Sequence, residues 1–194
     1  MNIFVLDESP RISAEMMCDK HVVKMIIESA QMLSTSHRYV DGDEFISYSK
    51  NGRRIKRWSH YTDTPDSKVR LHKSVMLNHP CTIWTRETAA NYAWLAAHAL
   101  ALCDEYECRY NRTHATRGLI EWLVTNYPEK VYGLHRTPFA QAMPDEYKVT
   151  GDAVAAYRAY YLGEKRHFAK WKNGNIPNWY TEGLTKDVDV VQYA

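Results

Sequence analysis

The chain has 194 residues, a net charge of +2, 45% hydrophobic and 12% aromatic residues. That length can bury a core without disulfides or metals, and that composition excludes wholesale disorder, collagen-like repeats and low-complexity architecture. No stretch approaches the ~18 apolar residues of a membrane span, and the N-terminus lacks the basic flank of a secretory leader, so a soluble, intracellular protein is expected, without a membrane partner or an obligate protein partner.

Met1 to Leu6 is short and apolar enough for one strand. Ser9-Pro10 then pairs an N-cap with a first-turn proline. A long helix is predicted from Ile12 to about Thr35, because Ile12, Met16, Val23, Ile26, Ala30 and Leu33 recur at three and four. Residues 39–73 carry turn chemistry and charge without periodicity, and read as a basic irregular insertion with a hairpin at Asn51-Gly52. His79-Pro80 opens a second long helix to about Tyr110, with Trp84, Tyr92, Leu95, Ala99 and Leu102 on its packing face. A third helix is predicted over 114–125, followed by a Pro-containing loop over 127–150. Gly151-Asp152 caps a helix that runs to about Trp171, and the tail reads as irregular. The expected fold is a single, mainly α domain over 1–194, of about four helices with a short N-terminal strand and minor β.

Cys18, Cys81, Cys103 and Cys108 show neither CxxC nor zinc-finger spacing, so reduced structural thiols are expected, with no metal and no cofactor. Charge is distributed unevenly. From Lys50 to Lys73 eight Lys/Arg face two acids, a local +6 that includes Arg53, Arg54, Lys56 and Arg57. From Arg158 to Lys172 five face one, with Lys165, Arg166 and Lys170 among Tyr160, Tyr161, Phe168 and Trp171. Basic stretches interleaved with aromatics suit phosphates and stacked bases.

On the first long helix His21, Lys24, Glu28 and Gln31 follow at offsets of three, four and three and form a polar stripe. An amine and a carboxylate within reach of each other, beside a histidine, are parts for general acid/base or Schiff-base chemistry. The same spacing also fits a solvated face with an ordinary ion pair. Asp19 projects toward the apolar side, where it needs a partner, such as an Arg or Lys of the second helix. His79 suits an N-cap or an anion site, and Arg86 suits a phosphate or a surface acid.

Asp19-Lys20-His21-Val22 followed by Glu28 resembles the bacteriophage pyrimidine-dimer DNA glycosylase/AP lyase family, of T-even phage endonuclease V type. That family has Asp-x-His-Leu on its first helix and a catalytic glutamate seven residues after the histidine. His79-Pro80 before an aromatic, Arg-bearing helix and Pro177-Asn178-Trp179-Tyr180 are similar to further family segments. The resemblance implies a DNA-directed enzyme, in the host cytoplasm if of phage origin, that needs no metal. An amine attacks C1′ of a flipped nucleotide, and β-elimination through a Schiff base follows. It implies Glu28 as the catalytic carboxylate, His21 as a site or positioning residue and the Met1 amine as nucleophile, with Trp179 at the DNA. An α-amine titrates near 8 and a lysine near 10.4, which favours Met1 over Lys24.

The chain departs from the family pattern at Ile27 and Gln31, where the family has DNA-contacting arginines, and Asn2 is too large for efficient removal of the initiator methionine. Two alternatives stay open: a phage-type base-modifying or group-transfer enzyme on a similar scaffold, and a non-catalytic nucleic-acid-binding module.

Overall fold

The computed structural model describes residues 1–192, with side chains through Thr185. The fold is mainly α. Helices α1 (Pro10–Glu15) and α2 (Asp19–Asp41) lead into a hairpin, β1 (Glu44–Tyr48) and β2 (Arg54–Trp58). Helices α3 (Pro80–Glu87), α4 (Ala89–Tyr110), α5 (Arg117–Thr125), α6 (Ala153–Tyr160) and α7 (Asn178–Gln192) follow. The two strands pair antiparallel, from Glu44 opposite Trp58 to Tyr48 opposite Arg54. The turn at Asn51-Gly52 is as expected, with Gly52 at φ +72°, a region open to glycine.

The predicted first helix is two helices. Cys18 is extended, at φ −68° and ψ 160°, and separates α1 from α2. The carbonyls at the break are taken by distant donors: Arg109 donates to Glu15 O at 3.0 Å and Met17 O at 2.9 Å, and Trp171 Nε1 to Met16 O at 2.9 Å. These partners satisfy the helix end, so continuing the helix has no advantage. Because the break resets the phase, Ile12 turns outward; Val23 is exposed too, and the buried side of α2 is Val22, Met25, Ile26, Ala30 and Leu33. Asp19 pairs with Arg109 at 2.9 Å, the second-helix partner expected for it.

The second long helix is also interrupted. Thr88, at φ −140° and ψ 155°, ends α3 and caps α4 through its side chain, which accepts from Asn91 N. The first amides of α4 donate instead to loop carbonyls, Ala89 N to Tyr132 O and Ala90 N to Gly133 O. Asp152 caps α6 as expected, accepting from Ala155 N at 2.8 Å, but that helix widens into a π turn at Tyr161–Lys165 and does not reach Trp171. The tail expected to be irregular forms α7, anchored by Tyr180 against Trp171 at 4.6 Å between centroids.

No strand forms at the N-terminus. Phe4 sits at φ +43°, in the left-handed region, which bends residues 1–6 away from any ladder. Side chains satisfy the arm's backbone: the Asn2 carboxamide oxygen accepts from Ile3 N and Phe4 N, Ser13 Oγ from Leu6 N, and Leu6 O accepts from Arg158 Nε. Ile3, Val5 and Leu6 are buried in the main core with Val22, Met25, Ile26, Tyr92, Leu95, Leu102, Tyr157 and Tyr161. The arm is therefore clamped against α2 by burial rather than by strand pairing. All four cysteines are free, and no helix among the described residues is long and apolar enough to cross a membrane.

Candidate active site

The clamped arm brings the chain's own amino group to α2. The Met1 amine lies 3.8 Å from Glu28 Oε2, and the Glu28 side chain is only 13% exposed. Asn2 N donates to the same oxygen at 3.0 Å. The other oxygen, Oε1, is 3.1 Å from Lys24 Nζ, whose side chain is largely exposed. One carboxylate thus bridges two amines, one at the clamped terminus and one on an exposed side chain.

Asn2 fixes the geometry. Its Nδ2 donates to Ala142 O at 2.7 Å, tying the arm to the loop before α6, and Met1 Sδ accepts from Thr82 Oγ1 on α3 at 3.7 Å. His79 caps α3, its Nδ1 accepting from Cys81 N at 3.2 Å. Burial holds its imidazole below the ordinary range, as does the nearby N-terminal charge, against the opposing pull of Glu28.

His21 is not solvated as a polar-stripe residue would be. It is buried, its Nδ1 hydrogen-bonded to Tyr161 OH and its ring stacked on Phe4 at 4.2 Å, with Phe168 edge-on at 5.4 Å. Burial lowers its pKa to about 3, with Lys165 and Lys24 adding to the effect, so the ring is neutral. A neutral imidazole wedged against Phe4 supports the bend of the arm. Its contacts are to Phe4, Tyr161 and Phe168.

The basic residues divide. Arg53 just before β2 and Arg54, Lys56 and Arg57 on it line a groove of about 950 Å³ together with Val75, Met76, Leu77 and Asn78. The 74–78 wall leads directly into His79, beside the amine. Arg57 donates to Ser74 O at 2.8 Å and, with Arg70 and Lys73, also lines a cavity of about 310 Å³ against Arg38. Lys56 pairs with Glu44 at 2.9 Å across the hairpin. Arg86 points inward: it donates to Leu77 O and Thr82 O, and its guanidinium lies 4.6 Å over Tyr39. Lys165 donates to Tyr160 OH at 2.9 Å and Lys170 is exposed, while Arg166 follows the π turn. Trp179 packs 6.0 Å from Tyr161, with Arg158 5.4 Å over its ring.

Met1, Lys24 and Glu28 are therefore brought together, with His79 alongside. Asn2, Phe4 and Tyr161 have no motif of their own and emerge only from the folded arm. The signal for Asn2 is its position next to the terminus, from which its amide reaches Glu28 and its side chain Ala142 O.

Residues 1–117 match the family described as pyrimidine dimer DNA glycosylase. That span contains the arm, α2, the hairpin, α3 and α4. No curated protein matches the chain, and no solved structure does.

Proposed function

The chain belongs to the pyrimidine dimer DNA glycosylase family, and from that premise we propose that it excises a damaged pyrimidine from DNA by attack of the Met1 amine at C1′, then cleaves the strand by β-elimination. The observation that carries this reading is the amine held 3.8 Å from a nearly buried Glu28 carboxylate that also accepts from Asn2 N.

In this scheme the uncharged amine forms a bond to C1′ while the C1′–N glycosidic bond breaks and its electron pair leaves with the base, which takes up a proton. Loss of a proton from nitrogen and opening of the sugar ring give an iminium. The Glu28 carboxylate removes a proton from C2′, and the C3′–O bond breaks, its electrons leaving with the 3′ phosphate. Lys24 holds Oε1 and leaves Oε2 facing the amine. The groove along β2 and 74–78 carries the strand, its cations on the phosphates, and the target nucleotide turns out of the stack toward the amine.

Borohydride reduction in the presence of abasic-site DNA tests the assignment. A covalent adduct that maps to Met1, and that disappears when the N-terminus is extended, is the expected result. Lys24 is the other amine within reach of Glu28. An adduct that maps to Lys24, or that forms undiminished on the extended protein, overturns the role given to Met1.

A further inference from the structure

Three ionisable side chains converge at the far end of α2 from the amine. One ring nitrogen of His37, one of His60 and one carboxylate oxygen of Asp41 lie within 4.8 Å of one another. His37 and Asp41 are four residues apart on α2 and share a face. His60 approaches from the segment just after β2. Both imidazoles are buried, and their rings meet edge-on with centroids 5.5 Å apart.

Outer partners that would orient these groups are already in place. His37 Nε2 lies 2.9 Å from Tyr92 OH and 3.2 Å from Asn126 O. Asp41 accepts from Glu129 N at 2.8 Å and from Lys130 N at 3.3 Å. His60 Nδ1 lies 3.0 Å from Thr62 Oγ1 and accepts from Thr62 N at 3.3 Å, as the cap of the turn that follows. Its other nitrogen, Nε2, is fully buried without a hydrogen-bond partner. His72 Nε2 and His98 Nε2 are likewise unpartnered, but among the described residues only His60 joins a second imidazole and a carboxylate in one group of donors, and it is that convergence which points to a metal ion.

We propose that His37, Asp41 and His60 bind a divalent transition-metal ion of the zinc class, which ties the exit of the hairpin to α2. Two imidazoles and one carboxylate suit zinc better than magnesium or calcium, which prefer all-oxygen shells. Zinc would hold the three donors at ~2.0–2.2 Å, with water completing a tetrahedral set. Binding through the orphaned Nε2 requires the tautomer in which Nδ1–H gives up the amide of Thr62 and donates to Thr62 Oγ1 instead, the outer-partner arrangement typical of ligating histidines. The role is structural. His37 is nine residues beyond Glu28, about 13 Å along the helix, and touches none of the candidate catalytic groups.

The test is calorimetric titration of the chelator-stripped full chain with Zn²⁺, together with X-ray absorption of the zinc-loaded protein. One ion per chain, in a shell of two imidazoles and oxygen, is expected. His60→Gln should weaken binding by at least about 100-fold, the upper end of what loss of a mere outer partner costs, whereas His114→Gln, at a histidine outside the triad, should leave it unchanged. Zn²⁺ should also slow proteolysis within 43–79 in the wild type and not in His60→Gln. If His60→Gln does not fold, the wild-type absorption spectrum decides. Lack of stoichiometric binding, retained affinity in folded His60→Gln, or a shell without two imidazoles overturns the site.

Discussion

The two ends of α2 hold their cargo by different physics. At the N-terminal end, Ile3, Val5 and Leu6 bury the arm in the main core and the amine arrives beside Glu28 as a consequence. At the C-terminal end the hairpin lies outside that core and is held by polar contacts centred on Arg38. Its Nε donates to His72 O at 2.7 Å, Nη1 to Trp58 O and Asp63 Oδ2, and Nη2 to Asp63 Oδ1 and Leu71 O. All five donors of a buried guanidinium are satisfied, mostly by backbone carbonyls of the strap it secures. Apolar burial is insensitive to charge and fixes position closely, as bond-making requires. A polar hub holds a segment on which Arg53, Arg54 and Lys56 are exposed, which suits the DNA path proposed above.

The largest expected effect falls on chemistry at the first end. Glu28→Gln keeps an acceptor for Asn2 N but cannot take a proton, so turnover should fall by about 10²–10⁴-fold. Because the arm is held by burial, the melting temperature should barely move. Activity assays and thermal unfolding of the same preparation check this. Undiminished turnover would reduce Glu28 to half of a surface ion pair with Lys24.

The complementary change at the other end should reverse that pattern. Arg38→Met removes the hub and leaves Asp63 and three carbonyls without their donor, which should cost about 3–5 kcal/mol of stability. Proteolysis should begin within 43–79, while the covalent adduct with abasic DNA still forms under conditions where the protein stays folded. An equal loss of adduct formation would show that the two ends are not independent.

Much of this was legible in the sequence wherever the cause is local. Ser9, His79 and Asp152 cap helices because their side chains reach amides two or three residues on, and Asn51-Gly52 turns because glycine tolerates positive φ. The Lys24–Glu28 pair follows from helical spacing. What escaped depends on distant partners. The break before α2 needs Arg109 and Trp171, and the burial of His21 needs Tyr161, 140 residues away. The bend at Phe4 is opposed by its own residue type, so no propensity reports it. The tail reads as irregular because α7 rests on a contact between Tyr180 and Trp171 rather than on a strong apolar stripe.

A smaller effect separates His21 from a histidine of comparable burial outside the site. His21, lowered to about 3, and His98 in α4, lowered to about 4, are both kept neutral chiefly by burial. Their folded pKa values lie below the unfolded value near 6.5. The unfolded chain therefore binds protons first, and stability is complete above that value and lost as pH falls toward the folded ones. Between pH 6.5 and 5 each should contribute a loss on the order of 2 kcal/mol. His21→Phe should remove one such share from the pH dependence of urea unfolding, whatever it does to absolute stability, and should lower activity by loosening Phe4. A pH dependence identical to wild type would mean that His21 is solvated in the folded protein.

The smallest effect concerns the groove, and it distinguishes cations along a single edge of the hairpin. Arg53 and Arg54 are exposed, and neither takes part in an ion pair among the described residues, whereas Lys56 is paired with Glu44 and Arg57 is committed to Ser74 O. Only a cation that gives up little on meeting a phosphate releases its full share of counterions. The double variant Arg53→Ala, Arg54→Ala should therefore reduce the slope of log affinity against log salt by about 2, roughly one for each phosphate left without its cation. Lys56→Ala should reduce it by less than about 1, because freeing Glu44 changes the charge near the strand as well. Neither change should alter the rate of adduct formation at saturating DNA, since the amine and Glu28 are set by the arm and not by the hairpin. If Lys56→Ala flattens the slope as much as the double variant, the hairpin meets DNA in an arrangement other than the one described. If neither variant changes it, the strand lies elsewhere and the groove is not its path.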